Sequence, residues 1–419
     1  MRNNGETNMT NDIHKIIRTI SFFMLLHRTL IAGSILSSKG FGIPMISPDA
    51  RSAGMAGMTL AQSDPYSVSG INPSSFVSVR TTLVSLHLSA ENSWIRTGDG
   101  NASSGYTNFD GFLFALPLKS GLGLAIQLRP LTRMSYRITS PQQLEGQTYT
   151  KSTEGRGGIS EISLSAFWGI NRFLSIGASG NYIFGKNEED WKVLWDDQNT
   201  FTGSKTLFSA RHSGNGWTAG LQLKPISSLI LGGSYSPELN IDTQNEHAYY
   251  EYVNEATKYV LAYDAEKNRT QFPARWGFAA MAILGKTASW GIEYTEQAWN
   301  RFSVNRNFVP GTLKTQRIAT GGEFFAMANP TAPYLKKMAY RIGFSYQPFF
   351  SKDRNGNRIG EWWATVGLGL PMTMGLSQID AAIALGRRGS LSTNTFSETL
   401  FKFVLTVTVG EKWFTRVNE

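Results

Sequence analysis

The sequence has no cysteine, few charged residues and no long apolar run. Without cysteine there can be no disulfides, zinc–thiolate sites or thiol nucleophiles. No window reaches about 18 uninterrupted apolar residues, so no helix is predicted to cross a bilayer. Charged residues make up 17% of the chain, below the share in soluble domains. Glycine is abundant, with 42 residues, and aromatic residues make up 12% of the chain. This composition is typical of barrel strands with girdles of aromatic side chains.

The five histidines give no sign of an enzyme. His14 and His27 lie in a predicted presequence, and His87, His212 and His247 are far apart with no metal-ligand spacing. A Gly-x-Ser-x-Gly elbow and a phosphate-cradling loop are both missing. We therefore predict no catalytic residue, no metal and no cofactor.

The net charge of +9 raises the question of nucleic acid. The 40 Lys and Arg residues are spread evenly and match no nucleic-acid fold motif. No nucleic-acid partner is predicted, and the charged residues are interpreted as lying in solvated loops and in a polar lumen.

Residues 400–410 show the pattern that dominates the chain. Apolar side chains alternate with Lys402, Thr406 and Thr408, and only Val404 breaks the period of two. The same alternation recurs in so many stretches that one soluble core could not bury all of the apolar strand faces. It predicts strands whose apolar faces meet lipid.

Fourteen candidate strands follow residue 75. They lie near 76–91, 105–117, 121–137, 158–168, 172–187, 213–224, 227–240, 272–284, 287–299, 313–327, 337–350, 361–371, 376–387 and 395–410. Their connections alternate between short and long, with long ones near 92–104, 138–157, 188–212, 241–271, 300–312, 351–360 and 388–394. Outer-membrane barrels are built with short periplasmic turns and long outer loops. The sequence therefore predicts an all-β fold, a transmembrane antiparallel β-barrel of about 14 strands. The barrel is expected to be a monomer in the outer membrane of a Gram-negative bacterium, in contact with lipid and lipopolysaccharide.

Charged residues occur at strand depth on the polar face. Arg or Lys facing lipid at the midplane would cost roughly 2–4 kcal/mol, so these residues are predicted to face the lumen. These charged residues either hold an N-terminal plug in place or form a functional path through the lumen. The sequence favours the first, structural role. The lumen charges are Glu293, Glu323, Arg341, Asp380 and Lys402.

The N-terminus has the composition of a signal peptide. Basic residues precede two apolar runs, and a start at Met24 would explain why His27 and Arg28 interrupt them. The predicted divisions are a signal peptide over residues 1–40, a plug over 41–75 and a barrel over 76–419. A short membrane-surface helix is the alternative for the first of these.

Residues 41–75 carry many small residues and resemble a known family. The order Gly54-Met55-Ala56-Gly57, followed by Asn72-Pro73-Ser74, is similar to the N-terminal plug of FadL/TodX-type outer-membrane transporters. Ala56 and Ser74 depart from the usual Gly-Met-Gly-Gly and Asn-Pro-Ala. The resemblance implies that Gly54, Met55, Gly57, Asn72 and Pro73 belong to a plug inside the lumen; an ordinary N-terminal loop is the alternative.

The C-terminus also resembles this family, in the form found in the Bacteroidota and Chlorobi lineages. The residues concerned are Gly386–Leu391, Phe396–Thr399 and Gly410–Phe414. Many outer-membrane barrels end on an aromatic residue recognised by the barrel-assembly machinery. Here Phe414 is followed by five further residues, so such a signal would be displaced.

Two candidate sites follow. Arg129-Pro130 interrupts the third strand, where FadL-type transporters have a kink that opens a side passage, so Arg129, Pro130 and Arg133 are candidates for a lateral gate. A harmless bulge is the alternative. Aromatic residues in the long connection 188–212 suggest capture of an apolar ligand, with packing between loops or against lipopolysaccharide as the alternative. The capture residues are Trp191, Trp195, Phe201, Leu207 and Phe208.

The resemblance implies passive uptake of hydrophobic compounds such as long-chain fatty acids, with capture by outer loops and lateral release. The chief alternative is a shuttle or structural component of a protein secretion system, as FadL-like barrels of the PorV kind are. A general porin is a third possibility, which steady ion conductance would reveal.

Overall fold

A computed structural model describes residues 34–38, 41–46, 49–66, 68–98, 100–197, 200–252, 258–285, 287–304, 307–324, 333–372 and 377–411. Most of the predicted signal peptide, including Met24, lies outside the described residues, as does the aromatic motif at Trp413 and Phe414. Within the described part of the chain, no helix is long and apolar enough to cross a membrane.

The described elements are mostly strands. In chain order they are β1 (Ile43–Pro44), α1 (Ala50–Gly54), β2 (Thr82–Thr97), β3 (Asn101–Pro117), β4 (Leu122–Pro130), β5 (Thr132–Leu144), β6 (Gln147–Gly169), β7 (Leu174–Trp195), β8 (Gly203–Ile226), β9 (Leu229–Ser236), β10 (Leu239–Tyr252), β11 (Lys258–Phe272), β12 (Arg275–Leu284), β13 (Ala288–Gln297), β14 (Ser303–Val304), β15 (Asn307–Phe308), β16 (Thr315–Phe324), β17 (Ala339–Pro348), β18 (Gly360–Pro371), β19 (Ser377–Arg388), α2 (Leu391–Asn394) and β20 (Phe396–Glu411). Short 3-10 helices span Ile35–Ser38, Pro73–Ser78, Lys119–Gly121, Trp299–Arg301 and Tyr334–Lys337.

The strands close into an antiparallel barrel. β2 pairs with β3 on one side and with β20 on the other, where Thr82 lies opposite Glu411. Three barrel strands are each built from two segments that continue one another: β4 with β5, β9 with β10, and β11 with β12. The two-residue strands β1, β14 and β15 are not part of the wall, so the barrel has 14 strands and the predicted fold class is confirmed.

Alternation sets which side chains meet lipid. In β17, Ile342, Phe344 and Tyr346 point outward, the last being 52% exposed, whereas Arg341 points inward and is 3% exposed. Val404, which breaks the apolar period of β20, is buried against Ala50 of α1. The residue that breaks the alternation therefore faces the lumen and contacts the N-terminal helix there.

The barrel wall is much taller on one side than on the other. β6, β7 and β8 have 23, 22 and 24 residues, and β13 and β16 have 10 each. The prediction of long loops near 92–104, 138–157, 188–212 and 241–271 is wrong, because most of these residues belong to the paired strands β2–β3, β5–β6, β7–β8 and β10–β11. Beyond the membrane both strand faces are wet, so the ladder of hydrogen bonds continues where the apolar period has ended.

On the low side the connections lie outside the long wall strands, and the first of them contains the two-residue strands β14 and β15. Residues 298–314 and 349–359 carry the 3-10 helix Trp299–Arg301 and several buried aromatic side chains. At the other rim, the first barrel strand begins at Thr82 instead of residue 76, because Pro73–Ser78 forms a 3-10 helix.

Candidate functional site

The N-terminal segment, defined as residues 41–81, packs against the inward faces of strands all round the barrel. Ala50 of α1 is buried with Ala382 of β19 and Val404 of β20. Further along, Met58 is buried with Ile230 of β9 and Met281 of β12 in another apolar cluster. The predicted plug residues thus lie among residues of the barrel interior.

A row of buried charges fastens α1 to the wall. Arg51 Nη2 lies 2.6 Å from Glu323 Oε2, Arg341 Nη2 lies 2.8 Å from Glu323 Oε1, and Arg341 Nη1 lies 2.6 Å from Asp380 Oδ1. All four side chains are at most 5% exposed. The structure therefore brings three of the five predicted lumen charges together in one series of ion pairs that begins at Arg51. Since each charge is paired in a dry setting, removing one member leaves its partner uncompensated.

Glu293 fastens the next stretch of the segment. Its carboxylate accepts hydrogen bonds from the backbone N–H groups of Thr59 and Leu60, at 2.6 and 2.7 Å. Arg317 Nη1 lies 3.4 Å from the other oxygen of Glu293, and Arg317 also donates to the carbonyl of Ala56. Arg317 was missed at the sequence level because its partners are backbone atoms of a distant segment.

Lys402 stands apart from the other predicted lumen charges. It lies opposite Glu91 in the β2–β20 ladder and lines a lumen cavity of about 90 Å³. The same cavity is lined by Tyr106 and Arg133.

Inward-facing glycines of the wall make room for the backbone of the N-terminal segment. A Cβ added to Gly343 would lie 2.5 Å from Ala56 N, and one added to Gly177 would lie 2.5 Å from Pro73 C. A Cβ on Gly232 would overlap the carbonyl oxygen of Leu60. These contacts lie on three different strands, so the interior is shaped to hold this segment closely.

The five predicted plug residues are buried or tightly packed. Asn72 caps the 3-10 helix that begins at Pro73, accepting from Ser74 N at 3.1 Å and donating to the carbonyl of Leu60 at 2.7 Å. Met55 is fully buried between the wall and the segment. Gly57 has φ of +77°, and a Cβ on Gly54 would lie 3.0 Å from Gly367 Cα, which accounts for glycine at both positions.

The wall has a gap between β3 and β5. β3 pairs with β4 only from Phe112 opposite Leu128 to Pro117 opposite Gly123. Beyond that point, β5 pairs with β6, while residues 101–111 of β3 pair only with β2 among the described residues. Pro130 ends β4 here, and a cavity of about 320 Å³ opens at the gap.

The three predicted gate residues surround this gap. Arg129 Nη2 pairs with Glu161 Oε1 at 2.8 Å on the lumen side. Arg133 reaches across the gap to β3, where its Nη2 lies 3.4 Å from Asp110 Oδ1 and its guanidinium lies 4.7 Å from the centroid of the Tyr106 ring. Arg133 lines both the lumen cavity and the cavity at the gap. It is thus the residue that the linings of the two cavities have in common.

The predicted capture residues lie on the tall hairpin formed by β7 and β8. Trp195 stacks on Phe201 with ring centroids 4.9 Å apart, and Phe208 lies 4.8 Å from the ring of His247. Trp191 is 51% exposed, and Leu207 is half-buried opposite Asp190 in the ladder. Among the described residues these side chains form small separate groups instead of one pocket.

Ion pairs decorate the same hairpin. The Lys186 and Arg156 side chains hold the pKa of the Glu188 carboxyl below its usual value, through hydrogen bonds with that carboxylate. The two cations are exposed, so these ion pairs contribute little to stability.

A large aromatic cluster was not anticipated from the sequence. It fills the lumen beneath the loops of the low side, where Phe41 packs edge-on against Phe302, and Trp299 contacts Phe272 and Phe350. Its members come from distant stretches with no shared period, so no local signal could have grouped them. The buried members are Phe41, Ile159, Ile183, Ile241, Phe272, Trp299, Phe302, Phe349, Phe350 and Ile359.

No group of three or more His, Asp or Glu side chains suited to a metal ion occurs among the described residues. A closed barrel of 14 antiparallel strands, an apolar outer face and a lumen packed by the N-terminal segment define an outer-membrane β-barrel of the FadL type. The protein is therefore located in the outer membrane.

The chain belongs to the BamG family, whose model matches residues 13–418. Solved structures confirm the fold and the resemblance to FadL/TodX-type transporters. A Pseudomonas aeruginosa FadL homologue has 12% identity and a TM-score of 0.63, covering 88% of this chain and 99% of that one. The Ralstonia pickettii toluene transporter TbuX has 14% identity and a TM-score of 0.59, covering 88% of this chain and 100% of that one. The P. putida toluene transporter TodX has 13% identity and a TM-score of 0.60, covering 88% of this chain and 99% of that one. No curated protein matches the chain.

Proposed function

We propose that the protein lets hydrophobic compounds cross the outer membrane by passive diffusion. In this mechanism the aromatic hairpin captures the compound, the N-terminal segment rearranges as a plug, and the compound leaves sideways through the gap between β3 and β5. Long-chain fatty acids are one class of such compounds. The names of the similar structures, toluene transporters and a monoaromatic hydrocarbon channel, support the class of cargo.

One observation carries the proposal: Arg133 is shared by the linings of the lumen cavity and the cavity at the wall gap. Its bonds to Asp110 and Tyr106 bridge the only strands of that region that lack a shared ladder among the described residues. Movement of one flexible side chain would connect the lumen with the lipid-facing surface. An ordinary bulge would leave the ladder continuing beyond it, whereas residues 101–111 of β3 pair only with β2 among the described residues.

A second candidate is a component of a protein-assembly or secretion complex. The buried charges at Arg51 and Glu323 favour it, because a segment fastened this firmly suits a barrel that serves as a rigid structural unit. The family name BamG points to the barrel-assembly machinery in the same way. In that case the tall hairpins would bind protein.

Purification from outer membranes in mild detergent, followed by mass spectrometry of bound small molecules and proteins, tests the two candidates. The uptake proposal expects a retained hydrophobic compound that is depleted in the Arg133→Ala variant. A stoichiometric protein partner, with no retained compound in either form, would overturn uptake and support the structural role.

A further inference from the structure

The rim of the barrel that carries the short turns is rich in cations. Short turns join β3 to β4, β6 to β7 and β8 to β9 on this side, and β2 begins and β20 ends here, with Thr82 opposite Glu411. Outer-membrane barrels place their short turns on the periplasmic side, so we call it the periplasmic rim. Its described cations are Arg80, Lys119, Arg172, Lys224, Lys336 and Lys337.

Most of these cations have no acidic partner. Arg80, Lys119 and Lys336 form no ion pair with a carboxylate within the described part of the chain. Lys224 donates to a neutral group, Ser63 Oγ, at 3.0 Å, and the positive charge of Arg80 is close enough to repel it. The rim therefore keeps cations together that are not neutralised by the protein itself.

The carboxylates near this rim are few, and most are engaged inside the lumen. Asp64 lies 3.7 Å from Arg51 Nη2. Glu323 and Asp380 are buried in the ion pairs that fasten α1 to the wall. Glu411 is exposed, so among the described residues one accessible carboxylate of this rim stands against its six cations. The excess positive charge fits an anionic partner outside the barrel.

Four of the cations have an exposed apolar neighbour in the same connection. These apolar side chains are between 43% and 68% exposed, at the ends of wall strands whose outward faces meet lipid. The Arg172 guanidinium lies 4.5 Å from the centroid of the Phe173 ring, so the cation and the apolar group are in contact there. The four pairs are Leu118 with Lys119, Phe173 with Arg172, Ile226 with Lys224, and Leu335 with Lys336.

A cation beside an exposed apolar side chain matches the boundary between acyl chains and lipid headgroups. The apolar group lies among the acyl chains, while the stem of a Lys or Arg carries its charge outward to the headgroup phosphates. Anionic phospholipids give a membrane surface a negative potential that attracts such cations. The four pairs lie on connections spread round the barrel, from β3–β4 to β16–β17. A lipid leaflet contacts all of them at once, whereas a globular protein docked on one side would not.

We propose that the periplasmic rim binds anionic phospholipids of the periplasmic leaflet through the phosphates of their headgroups. Lys119, Arg172, Lys224 and Lys336 hold the phosphates, and their apolar neighbours pack among the acyl chains. This binding does not depend on the proposed uptake function, because it concerns the lipid around the barrel and not a compound inside it. The barrel is expected to retain phosphatidylglycerol in preference to phosphatidylethanolamine, which carries no net charge.

Native mass spectrometry of the full-length protein, released from nanodiscs with equal amounts of the two lipids, tests this surface. The wild type is expected to retain phosphatidylglycerol at least threefold more than phosphatidylethanolamine. The triple variant Lys119→Gln/Arg172→Gln/Lys336→Gln is expected to lose most of this preference. Raising the salt concentration from about 0.1 to about 1 M should weaken the preference of the wild type, because the Debye length falls from roughly 10 to roughly 3 Å.

The matched control is the triple variant Arg301→Gln/Arg354→Gln/Arg358→Gln. It removes the same charge from three exposed cations of the outer loops on the low side. This variant is expected to keep the wild-type preference, because its cations lie at the opposite rim. Heat-dependent migration in gels checks that both triple variants form folded barrels.

Equal retention of the two lipids by the wild type would overturn the proposal. An unchanged preference in the Lys119→Gln/Arg172→Gln/Lys336→Gln variant, or an equal loss in both triple variants, would overturn it as well. An acidic periplasmic protein that copurifies with the wild type but not with that variant, in the absence of a lipid preference, would assign the rim to a protein partner instead.

Discussion

Gly343 of β17 and Ala56 of the N-terminal segment are so close that a Cβ on the glycine would lie 2.5 Å from the alanine's backbone nitrogen. No real Cβ tolerates such a distance, so any larger residue at 343 must push the segment away. The fit between wall and segment therefore depends on an inward-facing position having no side chain.

Replacing this glycine tests what the segment does. The wild type is expected to conduct almost no ions in planar bilayers, whereas Gly343→Val is expected to displace the segment around Ala56 and to raise the conductance well above that level. Gly180→Val is the matched control, since Gly180 faces outward and a Cβ there meets nothing within 4 Å. Equal conductance of the two variants would show that the segment does not close the lumen.

The buried and exposed ion pairs should differ in energy. Arg341→Ala leaves Glu323 and Asp380 short of a partner in a dry site, and breaking such a buried pair typically costs about 3–5 kcal/mol. Arg156→Ala removes an exposed partner of Glu188 and should cost at most about 1 kcal/mol. Urea unfolding in lipid vesicles measures both. A loss for Arg341→Ala no larger than that for Arg156→Ala would contradict the assigned role of the cluster.

The bridge across the wall gap should control release. Arg133→Ala removes the contacts with Asp110 and Tyr106, so uptake of a hydrophobic compound by cells is expected to rise at least twofold. Arg137→Ala is the control, because Arg137 lies on the same strand but is exposed and pairs with Glu154 of β6, not with β3. A faster rate in both variants, or in neither, would argue against a gate at Arg133.

Capture by the tall hairpin should matter most when ligand is scarce. Trp195→Ala breaks the stack with Phe201 and is expected to raise the half-saturating concentration for uptake several-fold, with the maximal rate unchanged. Trp217→Ala, on the outer face of the same hairpin, should leave both values as they are. An unchanged half-saturating concentration in Trp195→Ala would show that the stack of Trp195 on Phe201 takes no part in capture.

The period of two predicts much of the barrel, because lipid imposes it strand by strand. It correctly assigns the outward face of β17 and the inward charges Glu323, Arg341 and Asp380. Above the membrane this constraint disappears, which is why β7 was predicted to end too early and β6 and β8 to begin too late. Local polarity there resembles that of a loop, although the strands continue to pair.

The contents of the lumen were harder to predict, because they depend on pairs distant in the sequence. Arg51 and Glu323 are far apart along the chain, and each has many possible partners until the barrel closes. Wall glycines such as Gly232 look like weak strand positions until the carbonyl of Leu60 is placed against them. Pro130 did point to the gap, but only the ladder ending at Phe112 distinguishes it from the breaks at Pro237 and Pro273.

Tethering the N-terminal segment tests the account most directly. Ala50 N–H donates to Thr406 Oγ1 at 2.8 Å, so the two positions are in contact, and a cysteine pair introduced there is checked for disulfide formation by mass spectrometry, in a chain with no cysteine of its own. Uptake of radiolabelled hydrophobic compounds, a long-chain fatty acid and toluene among them, would be measured with the pair oxidised and then reduced. The account predicts that uptake stops in the oxidised form and returns on reduction, while each single-cysteine variant is active throughout. Undiminished uptake with the tether closed would contradict it.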